Sequence, residues 1–487
     1  MSTVTPIPRD PGSVDAGRFD VVIVGGGIQG VLCALESTHR GLKTLLVEAG
    51  DYGAATSFNS LRTVHGGLRY LQWLDFARAR QSNAQQRWWL GTFPDLVERR
   101  ACIMPLDGGL LRGPTAFRVA GFLARLSGMR APGGVRTAAP TVEILTAAAV
   151  RRRIPDFPAG KLRGAAQWEE GFMPESSRLL IECLRWAVAA GATVLNYVEL
   201  VAARPEGRGN ARLELSDRAS GASLSVVCGT MINAGGARTE EVARRLGARI
   251  TSLLAPTLAW NLFLDAKPPG AACVALTPPL RGAQTYFVQP FHGRVLAGTG
   301  HAAIGNTGQD GRVTPALIDG MRRDLDAAWP RAGLGAARVI RVLAGILPGI
   351  RPGLSRLALR PRIVRDVGAG GVTLLHVIGV KFTESPLVAR RALDFVTAAR
   401  SKSLTARPAA ADGWNLAGGH AAPTARSLLE LAVNESVVYL DDLIERRTNA
   451  WCDEAATASL IRVAGQSLPQ RPPRQEAAPS SREGTGE

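Results

Sequence analysis

Glycines near the start of the chain are spaced to hold a phosphate. The run Gly25-Gly26-Gly27-Ile28-Gln29-Gly30 matches the pattern Gly-x-Gly-x-x-Gly. In this pattern Gly25 permits a tight turn, Gly27 lets the backbone approach a pyrophosphate, and Gly30 lets a helix pack closely on a strand. Glu48 follows 23 residues after Gly25, where a carboxylate can accept the hydroxyls of an adenosine ribose. The spacing predicts a dinucleotide site, and the carboxylate disfavours NADP.

Small and polar residues after Glu48 could line an extended cofactor. The run Ala54-Ala55-Thr56-Ser57-Phe58-Asn59-Ser60 offers hydroxyls to phosphate oxygens and lets backbone amides approach. Next comes His65-Gly66-Gly67-Leu68-Arg69-Tyr70, in which the imidazole can move a proton near neutral pH and the guanidinium suits a phosphate or carboxylate. Periodicity alone does not choose between FAD and NAD.

The hydrophobic pattern predicts the elements that position these residues. Residues 19–24 are predicted as a strand, 28–40 as a helix ended by Gly41, and 44–47 as a strand, which together form one βαβ unit. Further predicted helices cover 75–91, 179–190, 314–329, 385–399, 424–447 and 452–465, and further strands cover 193–203, 211–217, 222–232, 257–264, 285–290, 294–298 and 372–378. The composition of 1–18 and 466–487 predicts disordered tails, and that of 105–140 a mobile segment near the substrate.

Length and composition limit the class of protein. A chain of 487 residues exceeds the roughly 250–300 at which one hydrophobic core stops growing, so several domains are expected. Hydrophobic residues at 46% and charged residues at 20% argue against wholesale disorder and against an integral membrane protein. No run of 18 uncharged apolar residues predicts a membrane-spanning helix, and residues 1–18 lack the apolar segment of a secretory signal. The expected location is the cytoplasm, and the protein could also attach peripherally to the cytoplasmic face of the membrane.

The net charge of +17 is the unusual number in the composition. Only five of the 58 cationic residues are lysines, and the arginines are scattered without interleaved aromatic residues. This pattern favours compositional bias over nucleic-acid binding, with attraction to an anionic membrane surface as the functional alternative. The six cysteines are spaced singly, which indicates neither a zinc site nor a disulfide framework.

The motifs in their order resemble the FAD-dependent glycerol-3-phosphate dehydrogenases of the D-amino-acid-oxidase-like flavoprotein superfamily. The resemblance begins with VVIVGGGIQG, Glu48, ATSFNS and HGGLRYL, and covers about 19–465. Downstream it includes Met231-Ile232-Asn233-Ala234-Gly235-Gly236-Ala237, Gly298-Thr299-Gly300, Gly379-Val380-Lys381-Phe382-Thr383 and the helical segment 439–448. It implies an α/β fold: a GR2-type, doubly wound FAD-binding domain, an intertwined α+β substrate domain and a small helical C-terminal domain.

The resemblance also implies domain boundaries and cofactor contacts. The FAD-binding domain would comprise 19–72, 165–240 and 345–400, the substrate domain 73–164 and 241–344, and the C-terminal helical domain 405–465. The implied cofactor-binding residues are Gly25, Gly27, Ile28, Gln29, Gly30, Glu48, Ala49, Thr56, Ser57, Asn59, His65, Gly66, Gly67, Leu68, Val198, Ala234, Gly235, Gly379, Lys381, Phe382 and Thr383.

The reaction implied by the resemblance is oxidation of a secondary alcohol. Hydride would pass to flavin N5, a base would take the hydroxyl proton, and the electrons would pass to quinone. Lys381 would favour the anionic reduced flavin, and Arg69 beside Tyr70 would contact the substrate. From the residues alone, Lys381 could instead be a solvated surface lysine, Arg69 could form a structural ion pair, and Tyr70 could pack in the core.

Several positions depart from the family pattern. Leu347 stands where the family has its substrate-binding arginine, although Arg351 repeats Gly-x-Arg-Pro four residues later and a shifted loop could bring it back. Trp260 falls on a histidine position, His301 on an acidic one, and Glu384 on a threonine. These changes predict a substrate pocket that is less cationic and more aromatic, lined by Trp260 and Leu347.

Three functions stay open at this point. The first is glycerol-3-phosphate dehydrogenase-type oxidation, with His65 or His301 as the general base, unless each is a structural histidine. The second is a related flavoenzyme acting on an amine, an amino acid or a larger alcohol, because an apolar wall suits a less charged ligand. The third is a flavin-binding protein without turnover.

Overall fold

Two β-sheets and a group of C-terminal helices make up the described part of the chain. The computed structural model describes residues 4–71, 75–106, 142–158, 162–250, 252–280, 283–304, 312–399, 407–408 and 424–471. The strands are β1 (Gly17–Val24), β2 (Thr44–Glu48), β3 (Thr63–Val64), β4 (Glu98–Leu106), β5 (Glu143–Leu145), β6 (Gly164–Phe172), β7 (Thr193–Asn196), β8 (Val198–Pro205), β9 (Ala211–Asp217), β10 (Ser223–Asn233), β11 (Pro256–Asp265), β12 (Cys273–Leu276), β13 (Tyr286–Phe291), β14 (Arg294–Ala303), β15 (Arg338–Pro348), β16 (Arg362–Val367) and β17 (Thr373–Ile378). The α-helices are α1 (Ile28–His39), α2 (Leu68–Leu71), α3 (Phe76–Thr92), α4 (Ala147–Arg153), α5 (Ser176–Ala189), α6 (Thr239–Arg245), α7 (Pro315–Ala328), α8 (Ser385–Leu393), α9 (Ala425–Asn434), α10 (Leu440–Asp442) and α11 (Glu454–Ala464).

The first sheet has the order β16-β17-β10-β1-β2-β7, with β8 and β9 attached beside β10. Strand β1 runs parallel to both of its neighbours, β2 and β10. Because side chains alternate along a strand, Val21 and Ile23 pack in the core that includes α1 and α5, while Val22 and Val24 pack with residues of β8 and β9. The sheet is therefore covered on both faces, which is why residues 21–24 of β1 form an unbroken apolar run.

The second sheet has the order β15-β11-β14-β13-β12-β4-β6-β3, with β5 paired to β6. On β11, Leu258, Trp260 and Leu262 face a core that includes residues of α4 and α7. The opposite face carries Phe263, which packs with Phe58 from the loop after β2. That second face is turned toward the first sheet, so the two sheets can build a site between them.

The C-terminal helices are tied to the first sheet by buried ion pairs. Arg446 and Arg447, in the wide turn Leu443–Arg447 that continues α10, bond to Asp51 at 2.6 Å and 2.8 Å, and all three are almost completely buried. Burial alone would raise the pKa of Asp51, but Arg447 and Arg446 outweigh it and hold that pKa below its ordinary value. Replacing Asp51 would take one carboxylate partner from both arginines, and breaking a buried ion pair typically costs about 3–5 kcal/mol.

The predicted tails are wrong for the parts that the structure describes. Ile7 is completely buried, and its N–H donates to Asn434 O at 2.7 Å. Arg9 pairs with Asp217 at 2.5 Å. At the other end Pro469 accepts a hydrogen bond from Leu440 N at 2.9 Å. Apolar residues are few in these segments, but Ile7 and the carbonyl of Pro469 find partners in the C-terminal helices.

Most predicted elements are present, with ends shifted by a few residues. The strands missed are β3, β4, β5, β6, β12, β15 and β16, and the helices missed are α2, α4 and α6. The boundary predicted at 165 is wrong, because it places β6 in the FAD-binding domain, whereas β6 pairs with β4 in the second sheet. Strand β3 (63–64), predicted in the same domain, pairs with β6 and so also belongs to the second sheet. Of the mobile segment predicted at 105–140, residues 107–140 lie outside the described residues.

Across the described ranges, no helix has the length and apolar character needed to cross a membrane. Within the same ranges, no group of three or more His, Cys, Asp or Glu side chains is arranged to hold a metal ion. All six cysteines are buried.

Candidate active site

The glycine-rich turn has the geometry that its sequence predicts. Gly25 has φ +116°, and a Cβ at this position would lie 2.4 Å from Ala234 O. A Cβ on Gly30 would lie 1.9 Å from Gly25 O, so the first turn of α1 packs directly on the loop. Both glycines are required by close approach and not only by flexibility.

The N-terminus of α1 faces the loop that follows β2. Gly27 is the N-cap, and since it has no side chain it cannot itself cap the helix amides. Ser57 Oγ accepts a hydrogen bond from Ile28 N at 3.0 Å, and a Cβ on Gly27 would lie 3.2 Å from the same oxygen. Amides and a hydroxyl at a helix N-terminus are the donors that bind a phosphate group.

Glu48 lies at the end of β2 and holds the two turns beside it. Its carboxylate oxygens accept hydrogen bonds from Gly26 N at 2.6 Å and from Gly50 N at 2.8 Å. Burial raises the pKa of Glu48, although these two bonds oppose the shift. Each carboxylate oxygen has a second lone pair, so Glu48 can still accept a hydroxyl. Ala49, the next residue, uses its carbonyl to accept from Arg218 at 3.2 Å.

Two later segments return to the same turn. Ala234 N donates to Val24 O at 2.9 Å, which brings the Asn233-Ala234-Gly235 turn against Gly25. Gln29 Nε2 donates to Lys381 O at 3.4 Å, and a Cβ on Gly379 would collide with the Gln29 side chain. The first, second and last fingerprint segments therefore meet around the start of α1.

Lys381 and Tyr70 meet at the edge of this cradle. Lys381 Nζ lies 4.5 Å from the centroid of the Tyr70 ring, and Arg78 stacks on the same ring at 4.3 Å. Thr383 Oγ1 accepts from His65 N at 2.9 Å, so the segment with Lys381 also fixes the loop with His65. Cations on an aromatic face are stabilised by the ring quadrupole.

The second sheet presents a row of small, apolar and imidazole side chains toward the cradle. Ala259 is the direct partner of His301 on one side and of Gly345 on the other, and Leu347 pairs with the neighbouring Thr257. Thr56 Oγ1 donates to Ile346 O at 3.2 Å, so the loop after β2 lies against this part of β15.

His301 is the one of these residues that can titrate near neutral pH. Its Nδ1 is buried and has no hydrogen-bond partner among the described residues. Burial lowers the pKa of His301, which keeps the imidazole neutral and able to accept a proton.

Comparisons with known proteins agree with this geometry. The family described as "FAD dependent oxidoreductase" (DAO) matches residues 20–393. The chain belongs to this family. Glycerol-3-phosphate dehydrogenase 1 of Mycobacterium tuberculosis is 31% identical over 390 residues, which cover 78% of this chain and 73% of that protein. Glycerol-3-phosphate dehydrogenase of Synechocystis sp. is 27% identical over 395 residues, covering 78% and 70%.

A solved structure shows the same fold. The glycerol-3-phosphate dehydrogenase from Bacillus halodurans, complexed with FAD, aligns with a TM-score of 0.68 and 18% identity over 94% of this chain and 92% of that one. The chain is thus an FAD-dependent oxidoreductase of the glycerol-3-phosphate dehydrogenase type, and its cofactor is FAD. The residues present fit that cofactor, because the start of α1 has no capping side chain of its own and lies beside the Ser57 hydroxyl, and because a Cβ on Gly25 or Gly30 would collide with backbone.

Other residues expected at FAD in this oxidoreductase lie on or behind the cradle. Asn59 O accepts from Asn261 Nδ2 at 2.8 Å, which joins the cradle loop to β11. Phe382 packs on Trp89 with 5.3 Å between ring centroids. Leu68 and Val198 have buried side chains within the cores, so a contact from either to FAD would come from its backbone.

Three residues predicted on the substrate side, Trp260, Arg351 and Arg69, contribute no described side chain to it. Trp260 is wrong as a pocket residue, because it is 4% exposed and packs in the core on the far face of β11. The loop shift suggested for Arg351 is also wrong, since Leu347 and Pro348 are in register with Thr257 and Pro256, and Arg351 lies exposed beyond the strand. The backbone of Arg69 lies in α2, but its side chain lies outside the described residues.

Sequence reasoning missed a residue that shapes the His65–Gly67 loop. Glu170 on β6 is almost completely buried, and its Oε2 accepts from Gly66 N at 2.5 Å and from Gln86 Nε2 at 3.1 Å. Its Oε1 accepts from Trp168 Nε1 at 2.8 Å. The one available signal was a carboxylate within a run of small and aromatic residues, which is unusual for a buried strand.

Glu384, the residue that replaces a threonine, is also buried. Burial raises its pKa, while Lys381 and Arg78 act in the opposite direction. Its carboxyl group therefore contributes to the electrostatics of the segment that carries Lys381.

Proposed function

We propose that the protein oxidises the secondary alcohol of sn-glycerol 3-phosphate, or of a closely related compound, and transfers the electrons through FAD to a quinone. The observation that carries the proposal is the meeting of two groups of residues. The cradle of Gly27 and Ser57 lies against the sheet face that bears His301, through the contact of Thr56 with Ile346. The curated relatives named glycerol-3-phosphate dehydrogenase support the same substrate.

The chain's own residues have separable roles in this proposal. FAD supplies the hydride acceptor when it is bound. The amides at the start of α1 and Ser57 Oγ would hold its pyrophosphate, and Glu48 would hold its adenosine ribose. Lys381 would supply positive charge beside the flavin ring.

The substrate side needs an anion contact and a base. Arg69 and Tyr70 bind the phosphate in this proposal, since a guanidinium forms charge-assisted bonds to phosphate oxygens. His301 takes the hydroxyl proton at Nδ1, an atom that is buried and lacks a partner among the described residues. His65 is the second candidate for that role.

A less charged substrate is the second candidate function. Leu347 favours it, because an apolar side chain stands on the sheet face next to Ala259 and Gly345. An amine, an amino acid or a larger secondary alcohol would suit such a wall better than a phosphate would.

Turnover by the purified holoenzyme with a dye as electron acceptor tests both candidates. We expect sn-glycerol 3-phosphate to be oxidised with a higher kcat/KM than glycerol, unphosphorylated secondary alcohols or amino acids. Turnover with an amino acid or unphosphorylated alcohol, and none with sn-glycerol 3-phosphate, would replace the first candidate by the second.

Delivery of electrons to quinone requires the cytoplasmic protein to reach a membrane, and one surface hairpin suits that contact. The segment 349–362 follows β15 and contains four arginines and no acidic residue. Ile350, Leu354 and Leu359 are 46%, 45% and 57% exposed there. Ile350 N donates to Arg356 O and Ala358 N to Pro348 O, which closes the hairpin. Cations around exposed apolar side chains complement an anionic lipid surface.

Vesicle binding tests the membrane part of the proposal. We expect the protein to sediment with vesicles that contain phosphatidylglycerol and not with pure phosphatidylcholine vesicles. The triple variant Ile350→Ser, Leu354→Ser, Leu359→Ser should bind at least about tenfold more weakly. A control variant with Leu280→Ser and Val433→Ser, two exposed residues elsewhere, should bind normally. Equal loss in both variants, or none in the triple variant, would refute the role of the hairpin.

A further inference from the structure

A buried histidine connects three strands behind the second FAD-binding turn. His376 lies on β17, between β10 and β16, and is completely buried. Its Nδ1 lies 3.0 Å from Asn233 Nδ2, and its Nε2 lies 3.2 Å from Asp366 Oδ2. Asn233 directly precedes the Ala234-Gly235 turn that packs on Gly25.

The neighbours of Asn233 fix which way its amide points. Nδ2 donates to Thr239 O at 2.8 Å, and Oδ1 accepts from Gly235 N at 3.1 Å. A flipped amide would set its oxygen against the Thr239 carbonyl and its NH₂ group against the Gly235 N–H. The group that faces His376 is therefore a donor, and Nδ1 of His376 has to be an acceptor.

The other side of the imidazole meets an acceptor. Asp366 Oδ2 accepts from Ile250 N at 2.8 Å, and its Oδ1 accepts from Val367 N at 2.7 Å. These bonds, with that of His376, outweigh burial and lower the pKa of Asp366, so it is ionised. The proton of His376 consequently belongs on Nε2. Burial lowers the pKa of His376 itself, although Asp366 opposes this, which agrees with a neutral ring.

We propose that His376, as the neutral Nε2–H tautomer, is a positioning residue for FAD. It transmits the fixed orientation of Asp366 to Asn233, and Asn233 in turn holds Gly235 N and the Ala234 turn in the shape that meets Gly25. The contact to Ile250 extends the same chain of hydrogen bonds to the segment that leads into β11 of the second sheet.

Nitrogen NMR of the holoenzyme tests the tautomer directly. The chain has six histidines, and the resonances of His376 are those missing from a His376→Gln sample. In ¹⁵N-labelled protein at neutral pH we expect an unprotonated, acceptor-type Nδ1 and a protonated Nε2. A protonated Nδ1, in a neutral or a doubly protonated ring, would overturn the proposal.

FAD affinity of variants tests the positioning role. His376→Leu leaves Asn233 Nδ2 and Asp366 with one partner fewer, and we expect FAD to bind roughly ten- to a hundredfold more weakly. His376→Gln retains one acceptor and one donor and should recover most of the affinity. The matched control is Leu375→Ala, on the same strand, which should lower the Tm of the apoprotein and leave FAD affinity within about twofold.

These variants also separate positioning from bulk stability. Equal FAD affinity in His376→Leu and the wild type would overturn the proposal, and so would a His376→Gln variant as weak as His376→Leu, because packing alone would then matter. If His376→Leu does not fold, the tautomer measurement and the comparison of His376→Gln with Leu375→Ala decide the question.

Discussion

The cradle for FAD is built mainly from backbone, whereas the wall that faces it is built from side chains on the second sheet. In the cradle, Gly25 and Gly30 have no room for a Cβ, and in our proposal the amides at the start of α1 bind the pyrophosphate. On the wall, Ala259, His301 and Gly345 are neighbours only because β14, β11 and β15 pair in one register. Backbone sites tolerate almost no substitution, while side-chain walls can change their substrate one residue at a time.

The largest expected effect follows from adding a single methyl group to the cradle. In Gly30→Ala the new Cβ would lie 1.9 Å from Gly25 O, so the loop has to move. We expect FAD affinity to fall by at least about tenfold, since overpacking of this kind typically costs about 1–3 kcal/mol or more. The FAD content of the purified protein, with circular dichroism to check the fold, measures this.

Gly229→Ala is the matched control for that variant. It adds the same methyl group on β10, where the nearest atom would be 3.7 Å away, and should retain FAD. Full FAD occupancy in Gly30→Ala would show that the cradle is less constrained than its backbone contacts indicate.

The second prediction concerns the wall and leaves the cradle intact. His301→Gln should retain FAD but lose about 10²–10⁴-fold in kcat, the usual contribution of a general base. His65→Gln should lose less. Because burial lowers the pKa of His301, kcat/KM should persist below pH 6.5, the ordinary value for an imidazole, and fall only when the ring is protonated.

Two outcomes would contradict that assignment. A larger loss in His65→Gln would transfer the role of base to His65. Loss of FAD from His301→Gln would mean that the wall and the cradle are not independent.

The smallest expected effect is a loss of folding stability at acidic pH, caused by two buried histidines in the part of the molecule that forms the cradle. Burial lowers the pKa of His39, on α1, and of His376, on β17. Since the unfolded chain then binds more protons, stability is fully present above pH 6.5 and falls below it, by at most about 1.4 kcal/mol per pH unit for each histidine. Thermal unfolding of the apoprotein between pH 7.5 and pH 5 measures this. An apoprotein that gained stability on acidification would contradict it.

The same contrast explains what the sequence could predict. A backbone site needs glycines at fixed short spacing, so Gly25 to Gly30 and Glu48 identify the cradle within one βαβ unit. The sequence also predicts long helices such as α1, α5 and α7, because the spacing of apolar residues along a helix is a local pattern. Strands with mixed composition, such as β6 with Glu169 and Glu170, carry no such pattern and were missed.

The wall could not be predicted in the same way. Trp260 was expected in the pocket, but a shift of one residue moves every side chain of a strand to the other face, and the sequence does not reveal which face is which. Ile7 was assigned to a disordered tail because its partner, Asn434, lies more than four hundred residues away. Glu170 and His376 likewise gain their roles only from distant strands.

The most direct test of the central claim is anaerobic reduction of the bound flavin by substrate. The purified holoenzyme is mixed with sn-glycerol 3-phosphate in the absence of oxygen, and the flavin absorbance is followed. We expect sn-glycerol 3-phosphate to bleach the flavin of the wild type, and to bleach that of His301→Gln more slowly. A flavin that dithionite reduces but that sn-glycerol 3-phosphate leaves fully oxidised would contradict it.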